Sequence, residues 1–217
     1  MQKQTDKRAG GEAGFSLIEL MVALGVTLVI MVVASRMLAM SMAVRTRENQ
    51  RSEAIADVQR ALQTMTREIS NAGLGMTNNG LVNADSDGNS IRVRSNLNAF
   101  CGPDPALCDS DTTDADEDVV FAIITNNSGG ETQWLITRQD VVTGAISPLA
   151  NRVDFLEVSY LKADGTAAAT ASAATRVGIA VSVLLPAIGT PKAPGYQPPT
   201  RMRLTSEAVL RNSLLDQ

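Results

Sequence analysis

Residues 14–35 read Gly14-Phe15-Ser16-Leu17-Ile18-Glu19-Leu20-Met21-Val22-Ala23-Leu24-Gly25-Val26-Thr27-Leu28-Val29-Ile30-Met31-Val32-Val33-Ala34-Ser35. From Phe15 onward this run contains one charge, Glu19. As an α-helix rising ~1.5 Å per residue it is about 30 Å long, the thickness of a bilayer's hydrocarbon core. It is longer than the roughly 7–15 apolar residues of a secretory signal, and only the weak Ala34-Ser35-Arg36 resembles a signal-peptide cleavage site. The sequence therefore predicts a helix that spans a membrane. Glu19 needs a reason to be there, because a carboxylate within such a span costs about 2.5–3.5 kcal/mol on insertion scales. It lies one turn from the start of the run, where it can reach toward the interface. A chain cut before Phe15 would offer it a cationic partner, the new α-amine.

The helix does not have to stop where the apolar run stops. No proline occurs before Pro103, and no glycine lies between Gly25 and Gly73. A single helix from about Phe15 to Asn71 would measure roughly 85 Å. Its far part is patterned: Ile55, Val58, Leu62, Met65 and Ile69 recur in steps of three and four, which puts them on one face. Gly73 is placed to terminate it. Between the two halves, residues 45–53 are polar all round and predict a solvated neck. Met37, Met40 and Met42 read as adaptable packing rather than as metal ligands.

Aromatic residues make up 3% of the chain, so the core must rest on Leu, Ile, Val, Met and Ala. Beyond Leu81 the period shifts toward two. Residues 90–94, 119–124, 132–138, 153–160, 177–185 and 201–211 read as strands, with a turn at 126–130. They predict one modest antiparallel sheet packed on one helix. Residues 167–175 are low in complexity and read as a mobile loop, and residues 189–199 as a Pro/Gly loop.

The chain contains no histidine, which removes the commonest general base and metal ligand and excludes Ser-His and Cys-His catalysis. No other catalytic constellation stands out, so the sequence is not read as that of an enzyme. A net charge of −4 argues against a broad nucleic-acid-binding surface. Cys101 and Cys108 form an isolated pair in a Pro- and Asp-rich stretch. In an exported chain they read as one small disulfide loop, and otherwise as two thiols. Two acidic loops offer oxygen ligands of the kind Ca²⁺ takes, one with Asp85 and Asp87, the other with Asp109, Asp111, Asp114, Asp116, Glu117 and Asp118. The first lacks the full spacing of a twelve-residue calcium loop, and solvated turns are the default reading for both. No other cofactor is expected.

The string Gly14-Phe15-Ser16-Leu17-Ile18-Glu19, continued by Leu20 to Leu24, resembles the prepilin-peptidase signal of type IV pilins and type II secretion pseudopilins. The resemblance implies a pilin-like α+β fold, a long amino-terminal helix packed on an antiparallel β-sheet head. It implies a leader at 1–14, a membrane helix at 15–35, a neck and amphipathic helix at 36–73, and a periplasmic or extracellular head at 74–217. It further implies cleavage between Gly14 and Phe15, N-methylation of Phe15, and a role for Glu19 in assembly. Removing residues 1–14 takes away three of 19 basic and two of 23 acidic residues and leaves a net charge of −5. The implied partners are a prepilin peptidase, other major and minor pilins or pseudopilins, and an inner-membrane assembly platform. The implied locations are the inner membrane, as a single-pass precursor, and then a filament.

Many major pilins carry a proline where this chain has Arg36, so the chain looks more like a minor subunit. The segments Pro148-Leu149-Ala150-Asn151-Arg152-Val153-Asp154-Phe155-Leu156-Glu157-Val158-Ser159-Tyr160 and Val209-Leu210-Arg211-Asn212 are similar to PilW-type minor pilins. The leading expectation is a minor type IV pilin that packs into a pilus or primes its assembly. A J-like type II secretion pseudopilin and a tip adhesin or DNA-capture pilin are the alternatives.

Overall fold

A computed structural model describes residues 14–99, 108–127, 133–193 and 195–212. One helix, α1, runs without a break over Leu17–Ser70, 54 residues and about 81 Å. Its first turn carries Glu19 and its last turn Arg67, each of the sign that complements the helix dipole. The helix ends at Asn71, and Gly73 then takes φ +74° while its N–H donates to the Arg94 carbonyl at 2.9 Å. A Cβ at Gly73 would lie 2.3 Å from the Asn78 carbonyl oxygen, so only glycine fits this turn back toward the sheet.

Seven strands follow: β1 Ser90–Arg94, β2 Asp118–Asn126, β3 Gln133–Asp140, β4 Ile146–Ala150, β5 Val153–Leu161, β6 Arg176–Leu185 and β7 Thr200–Val209. They form an antiparallel sheet in the order β1-β2-β3-β4 and a second one in the order β5-β6-β7. The molecule is thus α+β, as expected, but the single sheet of the sequence reading is two sheets. Both close on the same stripe of the helix. Ala54, Val58, Ala61, Leu62, Met65 and Ile69 are buried against Ile91, Phe121 and Ile136 of the first sheet and Leu156, Val177 and Val181 of the second. The contact stripe turns slightly from the expected one. Ala54 is buried and Ile55 only half-buried, and the small Ala54 and Ala61 let the sheets approach the helix closely.

Strand β4 was not anticipated. Pro148 sits within it, tolerated because β4 is an edge strand, opposite Thr137 where the β3–β4 register shifts. The segment at 167–175 is packed rather than loose. Ala171 and Ala174 are buried, and Asn79 Nδ2 donates to both of their carbonyls at 3.0 Å. Their small side chains leave nothing for a hydrophobicity pattern to register.

The neck also departs from expectation at one residue. Arg47 is buried, although its polar neighbours are mainly exposed. Its guanidinium donates to the carbonyl oxygens of Pro186 and Pro198, the latter at 2.7 Å, and to Thr200 Oγ1 at 3.0 Å. The Pro/Gly loop between β6 and β7 is pinned to the helix through this one side chain. Within the loop, Ile188 and Gln197 exchange backbone hydrogen bonds of 3.0 and 2.9 Å.

Candidate functional site

The amino-terminal site is built on the first turns of α1. Ser16 is extended (φ −70°, ψ 141°), and its carbonyl accepts the N–H groups of Glu19 at 3.0 Å and Leu20 at 3.2 Å. Gly14, Phe15 and Ser16 therefore project from the helix as an extended tag. Every described residue from Gly14 to Met42 is exposed, Phe15 at 84%. Glu19 makes no ion pair among the described residues.

An apolar helical surface of this length, bare on all sides, cannot be stable in water. It suits lipid or a sleeve of like helices, where the backbone must satisfy its own polar groups. The side chains comply. Thr27 Oγ1 donates to the Ala23 carbonyl at 2.7 Å and Ser35 Oγ to the Met31 carbonyl at 2.8 Å, so neither hydroxyl is stranded. Among the described residues, α1 is the one helix long and apolar enough to cross a membrane.

The other expected site residues lie in the head. Asp85 Oδ2 pairs with Arg92 at 2.6 Å, and Asp87 Oδ1 accepts the N–H groups of Asn89 and Ser90 at 2.7 and 2.8 Å. Asp111 accepts the Thr113 N–H at 2.9 Å, Asp114 accepts from Asn98 Nδ2 at 2.8 Å, and Asp116 pairs with Arg138 at 2.8 Å. Asp109 joins Asp114 on Asn98 Nδ2, at 3.0 Å, while Asp85, Asp87, Asp111 and Asp116 keep the separate partners just named. Among the described residues no group of three or more His, Cys, Asp or Glu side chains is placed to hold a metal ion. Cys101, and with it the expected Cys101–Cys108 bond, lies outside the described residues.

The acidic loop is instead fastened at its base by ion pairs that the sequence reading did not foresee. Asp118 receives Arg92 through both oxygens at 2.7 Å and Arg94 at 2.8 Å. Arg138 joins Asp116 to Glu68 of the helix, the latter at 3.0 Å. Burial alone would raise the Asp118 carboxyl, but the bonds from Arg92 and Arg94 outweigh it and hold it below the usual carboxylate range. Its unfolded value is about 3.9. A depressed folded value means a stabilisation that is complete above that pH and is lost as pH falls from there through the folded value. Acid titration of the melting temperature is expected to show this loss below about pH 4, and Asp118→Asn to flatten it while lowering stability at pH 7.

Residues 10–35 match the prokaryotic N-terminal methylation motif. No curated protein and no solved structure matches the chain. The chain thus carries a prepilin-type methylation motif whose apolar part is the exposed first half of α1. That combination supports a subunit of the pilin or pseudopilin type, anchored through its amino-terminal helix.

Proposed function

We propose that this protein is a minor type IV pilin, a structural subunit that enters a pilus filament or primes its assembly after its leader is removed. The observation that carries this reading is the coincidence of the methylation motif at 10–35 with a helix whose apolar surface finds no cover among the described residues. In the precursor, lipid of the inner membrane covers that surface and the head lies outside the cytoplasm. In the filament, the helices of neighbouring pilins cover it. A prepilin peptidase cuts between Gly14 and Phe15, Phe15 is N-methylated, and an inner-membrane platform receives the product. Cys101 and Cys108 close a small disulfide loop in the exported head.

Glu19 supplies the register. The Phe15 amine released by the cut and the Glu19 carboxylate are each costly in a low-dielectric bundle and much less so when paired between adjacent subunits. Glu19→Ala is therefore expected to be cleaved and methylated as in the wild type, with amino-terminal mass spectrometry as the check. Its recovery in sheared filaments is expected to fall by about tenfold, the factor for an interaction of 1.4 kcal/mol. Wild-type recovery would remove the role assigned to Glu19, and a precursor that is never cut would remove the pilin reading itself.

A further inference from the structure

The stripe that faces the head continues below the core. Counting back from Ala54 in steps of four and three gives Gln50, Arg47, Ala43, Met40 and Arg36. Arg47 is the buried pin of the β6–β7 loop. Gly195 of that loop lies so close to the helix that a Cβ on it would sit 3.5 Å from Met40 Cα and 3.8 Å from Ala43 Cβ. The loop therefore hangs down the helix beyond Arg47. Arg36 lies one turn lower on the same face, about 6 Å nearer the apolar span at 1.5 Å per residue. A bilayer's headgroup layer is about 5–8 Å deep on each side, half the difference between its total and hydrocarbon thickness. If residues 15–35 fill the hydrocarbon, the loop tip rests in or on the headgroups.

Its chemistry fits that position. No acidic residue occurs between Glu19 and Glu48 or between Asp164 and Glu207, although the chain as a whole is acidic. The same two segments supply Arg36, Arg45 and Lys192, all exposed. Asp154 is paired with Arg201, just past the loop's return, at 2.9 Å. Lys192 stands at φ 71°, a left-handed conformation that a lysine rarely adopts, at the exposed tip. Tyr196 is half-buried beside it, an amphipathic ring of the kind that settles at membrane interfaces.

We propose that the β6–β7 loop is a foot by which the head stands on the membrane surface, with Lys192 and Arg36 binding lipid phosphate and favouring anionic headgroups. The inference rests on the membrane-anchor reading above.

The chain has one tryptophan, Trp134, on β3 in the head. In a Trp134→Phe background, Val32→Trp, Ala193→Trp and Thr113→Trp place one reporter each near the head-side edge of the span, at the foot and in the acidic loop. The full chain would be reconstituted in nanodiscs with lipids brominated near the headgroup end of the acyl chain. The span and foot reporters are expected to be quenched and the acidic-loop reporter not. Phosphatidylglycerol in place of phosphatidylcholine is expected to increase quenching at the foot about twofold, in line with the attraction of cationic side chains to an anionic surface. Lys192→Ala with Arg36→Gln should abolish that increase. A water-exposed, unquenched foot reporter beside a quenched span reporter would overturn the foot and leave the anchor standing. An unquenched span reporter would overturn both. A foot that is quenched alike in both lipids would overturn the preference of Lys192 and Arg36 for anionic headgroups.

Discussion

Gly14→Val is expected to leave the full-length precursor in the membrane with its leader attached, and to do so without disturbing the fold. Gly14 precedes the helix in an extended tag, and a Cβ added there meets no atom of the described residues within 4 Å. The residue therefore has no packing duty that a larger side chain would violate. Under the proposed cut, the demand for a small residue comes from the peptidase, which has to bring its reacting groups close to the Gly14–Phe15 peptide. A β-branched side chain beside that bond shifts the backbone relative to the attacking group. A misplacement of about 1 Å can cost on the order of 10²-fold in rate. Pulse–chase labelling with intact-mass measurement checks this: the wild type converts to a chain starting at Phe15, and the variant does not. The melting temperature of the head should stay where it was. A variant processed at the normal rate would mean that the cut lies elsewhere.

The second large effect is expected at Arg47. Its side chain satisfies three oxygens, the carbonyls of Pro186 and Pro198 and the Thr200 hydroxyl, from a buried position. Hydrogen bonds from a charged donor contribute about 1.5–3 kcal/mol each, and they do not add independently. Arg47→Ala should therefore cost about 2–4 kcal/mol, within the range of disrupted buried networks. The loop would lose its only described side-chain hydrogen bonds to the helix. Chemical denaturation in detergent measures the loss, and limited proteolysis between Pro186 and Thr200 measures the release of the loop. Arg47→Lys should recover only part of it, since one ammonium cannot reproduce the guanidinium fork. A variant as stable and as protease-resistant as the wild type would show that the pin carries no load.

Much of this architecture could be read in the sequence wherever the controlling physics is local. The absence of helix breakers between Gly25 and Gly73 predicts one long helix, and one long helix is present. Period-two alternation finds β1, β5 and β6 nearly to the residue. The amino-terminal motif is a contiguous string and is legible for the same reason. What escaped depends on neighbours distant in the chain. Pro148 hid β4, because a proline excludes a strand only where its missing N–H is needed, and an edge does not need it. The division into two sheets follows from which strands pair, and no single strand carries that information. Arg47 looked like one more neck charge. Its burial was encoded in the continuation of the head-facing stripe through Gln50 and Ala43, a signal masked by the change from apolar to polar residue types. The carboxylates of the acidic loops were visible as a cluster, but their division among Arg92, Arg94 and Arg138 was not, because those arginines arrive from other strands.

The unbroken course of α1 from Leu17 to Ser70 has a mechanical side. A joint between anchor and head would let each move independently, and neither a proline nor a loop supplies one. With the β6–β7 loop fixed to the shaft by Arg47, the head has no pivot at its lower end either. A pull, tilt or twist applied to the first turns is therefore transmitted as rigid-body motion to both sheets. The orientation of everything the head displays is set by how its anchor is gripped.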